Sequence, residues 1–335
     1  MKKIILIYIL ALTLNEAFGQ EEGKFTIIGN IKGLSDKAIL YLEYTDEEEK
    51  LIDSTSIING EFLFNGKLKS KAVNALIRTS NFTYYKFFWL ENSIVTFNAE
   101  KEKFIDAQIT GSNTQIEQDK LNKVLNTVSE KEQIKAEQKF VKENPNSIVS
   151  AHILNVYSST WGKEMTTILY NNLSEELKKS TYGKSISNFI YLNRSVKSGD
   201  KYVDFSQNDT QNKKVNLSDL DGKVILLEFW GSWCDPCRQT NPELVKIYNE
   251  FKDKGFEIFG VAAETNKDAW LQAIEKDKLS WTNVTDLKGD KNEASLIYGV
   301  SGYPTNFLID KSGVIIAREL NIKQLRKQLK ELLDK

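Results

Sequence analysis

Two cysteines, Cys234 and Cys237, are the only ones in the 335 residues of this chain, and two residues separate them. At the first turn of a helix that spacing puts both sulfurs within bonding reach. Three chemistries fit it: reversible thiol–disulfide exchange, a small structural disulfide, or half of a zinc site. Tetrahedral zinc needs two more ligands, and the chain offers no further cysteine and one histidine, His152. A staple closing so short a loop gains less loop-closure stabilisation than a long one. A redox pair is the leading reading, and no metal or cofactor is expected. The other residue with chemical potential is Glu228, in the otherwise apolar run Val224–Trp230 before the pair. Burial makes a carboxylate costly unless it is paired or protonated, and raises its pKa. Glu228 is thus either a proton acceptor for Cys237 or a carboxylate at a strand edge paired with a lysine.

The elements that must position these residues follow from the pattern around them. Val224 to Trp230 reads as a buried strand and Pro236 to about Lys254 as a helix. Phe256 to Ala263 reads as a strand, Asn266 to Lys278 as a helix, Pro304 to Asp310 and Val314 to Ala317 as a strand pair, and Ile322 to Leu333 as a closing helix. This is a βαβ half followed by a ββα half. Pro236 presets the first helical turn without losing an amide, whereas Pro242 falls inside the helix and kinks it. Pro304 opens a strand after Tyr303, in a turn that is either cis or trans. On this layout Cys234 is the exposed nucleophile at the helix N-terminus, where the partial positive charge favours thiolate, and Cys237 lies one turn in and more buried. Asp235 is acidic and adjacent, so it opposes the helix-end effect, and the direction of electron flow stays open.

Lys223 through Arg238, with Trp233-Cys234-Asp235-Pro236-Cys237 at its end, and Gly302-Tyr303-Pro304-Thr305-Asn306-Phe307-Leu308-Ile309-Asp310 together resemble the TlpA/ResA-like branch of the thioredoxin superfamily, over about Tyr202 to Leu333. The resemblance implies a thioredoxin-like α/β fold and thiol–disulfide exchange on protein substrates, reduction rather than oxidation. It also implies Trp233, Tyr303 and Pro304 as substrate-binding residues. At Thr240 the chain departs from relatives that carry an acid there, so no acid–base role transfers to that position. A thiol peroxidase is the second enzyme reading, but neither cysteine stands in the Pro-x-x-x-Thr/Ser-x-x-Cys setting that would hold a peroxide.

Upstream, Phe25 to about Ile109 carries short strand-like runs, and Asn59-Gly60 marks a tight turn. An antiparallel β-sandwich is expected over 20–112. Gly29 through Leu34, Leu51 through Ser54, Asn59 through Phe64 and Thr110-Gly111-Ser112 resemble a domain of unknown function found ahead of thioredoxin-like domains in Gram-negative envelope proteins. That resemblance implies a fold and a companion but no activity, and leaves a binding or scaffold protein with a regulatory redox domain as a third reading. The acidic run Asp46–Glu49 reads as a solvated loop. From 113 to 197 the composition turns helical, with Leu121, Val124, Leu125 and Val128 on one stripe, Ser147 as an N-cap, and another helix start at Ser174. His152 falls here, away from any second ligand, and reads as structural or solvent-facing. The thioredoxin-like domain occupies 198–335.

Met1-Lys2-Lys3, the apolar stretch Ile4 to Leu14 and the small residues Ala17 and Gly19 read as a secretory signal peptide over 1–19. No cysteine follows it to carry a lipid. A periplasmic location follows, where disulfides persist, with envelope thiols and disulfides as partners and a membrane or periplasmic thiol reductant to regenerate the pair. With 45 basic against 46 acidic residues there is no basic excess to draw nucleic acid.

Overall fold

The computed structural model describes residues 23–334, so the segment over 1–19 that reads as a signal peptide lies outside the described residues. The chain divides into two compact units, and the helical stretch is shared between them: residues 23–153 and 172–184 form one, 154–171 and 185–334 the other.

The first unit is a sandwich of two four-stranded sheets. Its strands are β1 (Phe25–Lys32), β2 (Ile39–Asp46), β3 (Glu49–Ser56), β4 (Glu61–Gly66), β5 (Ala72–Thr79), β6 (Tyr85–Glu91), β7 (Ile94–Glu100) and β8 (Gln108–Thr110). One sheet runs β4-β1-β7-β8 and the other β3-β2-β5-β6. Alternation along β1 sends Phe25, Ile27 and Ile31 into a core with Leu40, Leu42, Phe64, Phe88 and Phe97. The sandwich is not wholly antiparallel, because β1 and β7 pair in parallel. Asn59 and Gly60 both take positive φ, as a tight turn requires, but the strands they join belong to different sheets. The acidic run is not simply a solvated loop: Asp46 is buried, and its carboxylate accepts the amides of Lys69 and Ser70 while the run turns from β2 into β3.

The helices are α1 (Asn113–Leu125), α2 (Glu130–Glu143), α3 (Ile148–Asn172), α4 (Glu175–Lys179) and α5 (Thr181–Leu192). On α1 the buried residues are Gln115 and Leu121, while Val124 is exposed and Val128 lies beyond the helix end. Gln115 is drawn inward because its Oε1 accepts the Trp89 amide. Inside α3, Gly162 leaves helical geometry at φ 77, a value that glycine adopts without strain. His152 is mostly buried between Trp89 and Tyr182, and burial holds its pKa down to about 4, so it is neutral at physiological pH.

The second unit holds a seven-stranded sheet. Its strands are β9 (Ser206–Asp209), β10 (Lys214–Asn216), β11 (Val224–Trp230), β12 (Phe256–Ala262), β13 (Thr282–Thr285), β14 (Thr305–Ile309) and β15 (Ile315–Arg318), in the order β10-β9-β13-β12-β11-β14-β15. The helices are α6 (Asp235–Phe251), α7 (Lys267–Asp277), α8 (Glu293–Tyr298) and α9 (Ile322–Leu333). β11 lies inside the sheet, between β12 and β14, and is fully buried because both faces are covered. Val224, Leu226 and Trp230 pack in one apolar cluster with Cys237, Leu244 and Ile247 of α6, while Ile225, Leu227 and Phe229 pack in the opposite cluster with Tyr298 and Phe307. Among the described residues no helix is long and apolar enough to cross a membrane.

Candidate active site

β11 delivers the chain to the site and α6 leads it away. Cys234 is the N-cap of α6, with its carbonyl accepting the Arg238 amide at 3.0 Å, and Cys234 and Cys237 form a disulfide. The Cys237 amide points at Cys234 Sγ, 3.2 Å away. That donor and the helix end both favour negative charge on this sulfur once the bond is reduced. The expectation of an exposed Cys234 needs correction, since Cys234 is 4% and Cys237 1% exposed. In the bonded form both sit in the apolar cluster beneath α6, with Trp230, Leu244 and Trp270.

The exposed aromatic of the motif is Trp233, at 57%. Its indole lies back across Gly231, where a side-chain carbon would stand 2.8 Å from the ring, and its Nε1 donates to the Ala263 carbonyl at 2.9 Å. Its other neighbour is the Tyr303 ring, edge to face at 5.6 Å, and the Tyr303–Pro304 peptide is cis. Sequence-expected Trp233, Tyr303 and Pro304 thus come together beside the pair. Tyr303 Oη donates to Ser295 Oγ of α8 at 3.2 Å, which fixes the ring from below.

Glu228 is buried on β11, an interior strand, so the strand-edge reading fails, and no lysine pairs with it among the described residues. Burial pushes its carboxyl up to about 8, against a weaker downward effect of a hydrogen bond with Asn306. Its Oε2 has no partner among the described residues. Glu228 faces Asn306 on β14 and Gly260 on β12, and Gly260 in turn faces Asn283 on β13. By the two-residue period of β11, this polar row lies on the same side as Leu226 and Trp230, under α6. Glycine at position 260 leaves room for this row, because a side-chain carbon there would come within 2.5 Å of Asn283 Oδ1 and force that side chain to shift.

Two supports are not evident from sequence. Arg238 lays its guanidinium on Asp277 of α7 at 2.5 and 2.8 Å and donates to the Ser232 carbonyl at 3.1 Å. Buried Asn241 donates to the same carboxylate at 2.8 Å. Burial alone would raise the Asp277 pKa, but these hydrogen bonds and the Arg238 charge hold it below the ordinary value. The second support is Glu264, also buried, which accepts the Ser232 amide. An acid at the carboxyl end of an apolar strand is the signal that could have flagged Glu264. Asp277 stands among charged residues at a helix end and gives none. Asp277→Ala is expected to lower stability by about 2 kcal/mol, because charged hydrogen bonds are lost and Asn241 is orphaned. Urea unfolding checks this, and a loss under about 0.5 kcal/mol would mean the clamp holds nothing.

Comparisons with known proteins bear on both units. A family model described as the AhpC/TSA family matches residues 198–318, and one described as a domain of unknown function, DUF4369, matches 25–118. The thiol-disulfide oxidoreductase ResA of Bacillus cereus (strain ATCC 10987 / NRS 248) is 32% identical over 167 residues, which are 50% of this chain and 85% of the relative. The protein of the same description from Bacillus thuringiensis subsp. konkukian (strain 97-27) is 36% identical over the same shares. The crystal structure of a thioredoxin domain of a thiol-disulfide oxidoreductase from Bacteroides vulgatus is 35% identical at a TM-score of 0.40, covering 42% of this chain and 99% of that one.

Proposed function

The chain belongs to the ResA-like thiol-disulfide oxidoreductases, and from that premise we propose that it is an exported enzyme that reduces protein disulfides through Cys234 and Cys237. The observation that carries the reading is the pair itself: a bonded Cys234–Cys237 at a helix N-terminus, with the Cys237 amide on Cys234 Sγ.

In the reduced enzyme, the Cys234 thiolate attacks one sulfur of a substrate disulfide. The substrate bond breaks, a mixed disulfide forms, and the departing substrate thiolate takes a proton from solvent. Cys237 then gives its proton to the Glu228 carboxylate and attacks Cys234 Sγ. The Cys234–Cys237 bond forms, the mixed disulfide breaks, and the second substrate sulfur leaves as a thiolate that takes a proton from solvent. Two electrons have passed from the enzyme pair to the substrate. A Glu228 pKa of about 8 suits the transfer, because both protonation states are populated near neutrality. Trp233, Tyr303 and Pro304 bind the substrate around its disulfide. Export follows from the segment over 1–19, and the compartment it implies is the periplasm, where a membrane or periplasmic thiol reductant restores the pair.

Cys237→Ser tests the reading, because it removes the resolving thiol and leaves Cys234 able to attack. Expressed in the cell of origin, this variant is expected to accumulate as mixed disulfides with envelope proteins, seen as adducts on a non-reducing gel that dithiothreitol releases. An absence of adducts, together with no reduction of insulin by the wild-type protein and dithiothreitol above the dithiothreitol rate, would overturn it.

A further inference from the structure

The second compact unit contains a groove of about 580 Å³ beside the redox pair, with Trp233 and Tyr303 on its rim. One side is formed by the stretch from Val300 to Tyr303. The other side comes from outside the thioredoxin-like sheet, from Asn155, Val156, Ser159 and Thr160 of α3 and Ser185 of α5. This wall is anchored. Thr166 Oγ1 donates to the Ser158 carbonyl at 3.0 Å, and Lys163 Nζ to the Asn193 carbonyl at 2.8 Å. Asn193 Nδ2 in turn donates to the Leu296 carbonyl of α8, and the Arg194 amide to the Ile297 carbonyl, both at 3.0 Å.

The chemistry of the groove selects its occupant. Among the described residues, the amides of Ser301, Gly302 and Tyr303 and the carbonyls of Ser301 and Tyr303 have no hydrogen-bond partner, whereas the Gly302 carbonyl accepts Thr305 Oγ1. Unpaired main chain beside a groove is matched by another extended main chain. The opposite wall presents hydroxyls at Ser159, Thr160 and Ser185, which both donate and accept and so suit peptide groups of either polarity. The lining carries one acid and one base, Asp290 and Lys291, so nothing in it selects an anionic small molecule.

Resting on the reductase reading, we propose that the Asn155–Thr160 stretch of α3 is a specificity wall. It confines the substrate to an extended, cysteine-bearing segment of polypeptide laid along Ser301–Tyr303, and it directs the enzyme to unfolded or flexible disulfide-bonded chains. The helical region ahead of the thioredoxin-like sheet is then part of substrate recognition.

Val156 and Thr160 are both exposed and lie one turn apart, so Val156→Trp and Thr160→Trp fill the groove without entering a core. The pre-reduced full chain is mixed with two probes that share a leaving group: an unstructured peptide whose single cysteine is disulfide-bonded to cysteamine, and cystamine itself. The expected result is a fall of about tenfold or more in the rate constant for the peptide, with the cystamine rate within about twofold of wild type. Peptide rates unchanged in both tryptophan variants, or peptide and cystamine rates falling together, would overturn the wall. A wild-type protein that reduces neither probe would instead remove the reductase reading, and the wall with it.

Discussion

The Cys234→Ser variant is expected to lose disulfide reduction completely, with its rate on insulin falling to that of the buffer, while its fold is retained. Serine is a favoured N-cap, so the side chain can still accept the Cys237 amide and α6 keeps its start. A hydroxyl cannot form or exchange a disulfide at neutral pH, and Cys237, one turn into α6, lacks the helix-end position that favours thiolate on Cys234. The stability cost is that of the missing cross-link, about 2 kcal/mol for so short a loop, read against the oxidised wild type by urea unfolding. The two cysteine variants therefore separate the two half-reactions. Cys234→Ser gives neither turnover nor adduct, and Cys237→Ser gives adduct without turnover. Residual turnover in Cys234→Ser would place the attacking group elsewhere.

What the sequence made legible depended on whether a residue's neighbours in space were also its neighbours in the chain. β11 and α9 have the bounds that Val224–Trp230 and Ile322–Leu333 suggest, because a fully apolar run and a strongly amphipathic helix each signal their burial locally. The same holds for Cys234 and Cys237, whose role follows from a spacing of one helical turn. β3 carries no sequence signal because it is an edge strand with little buried side chain, so the sequence Glu49–Ser56 has no inward face to display. β13 carries none because its inward polar residue, Asn283, faces Gly260 and breaks the apolar pattern. The supports of the motif, Asp277 and Glu264, lie on the element after β12 and at its end, and only the fold brings them to Arg238 and Ser232. The groove wall is the extreme case. Val156 and Thr160 are ordinary helix-surface residues in sequence and line the groove only because Lys163 holds α3 to the Asn193 carbonyl.

Glu228→Gln is expected to change both the pH dependence of stability and the resolving step. Folding raises the Glu228 pKa from an ordinary 4.5 to about 8, with burial as the dominant cause. Below pH 4.5 the carboxyl is protonated in both the folded and unfolded chain, and its contribution to stability is fully present. Between these values the unfolded chain releases the proton and the folded chain retains it, so stability falls as pH rises, by up to about 1.4 kcal/mol per pH unit, and levels off above the folded pKa. By pH 7 the accumulated loss is about 3 kcal/mol. Glutamine does not titrate, so the variant's stability should be flatter between pH 5 and pH 8, by urea midpoints in the oxidised state, and its advantage over wild type should grow with pH. The same slope in both proteins would mean that Glu228 ionises freely in the folded state. The kinetic consequence has the opposite sign. Without a proton acceptor, decay of the mixed disulfide on Cys234 should slow by about 10²-fold near neutrality. It should recover as pH rises and Cys237 ionises unaided. A decay rate and pH profile that match wild type would assign Glu228 to stability alone and leave proton removal from Cys237 to solvent.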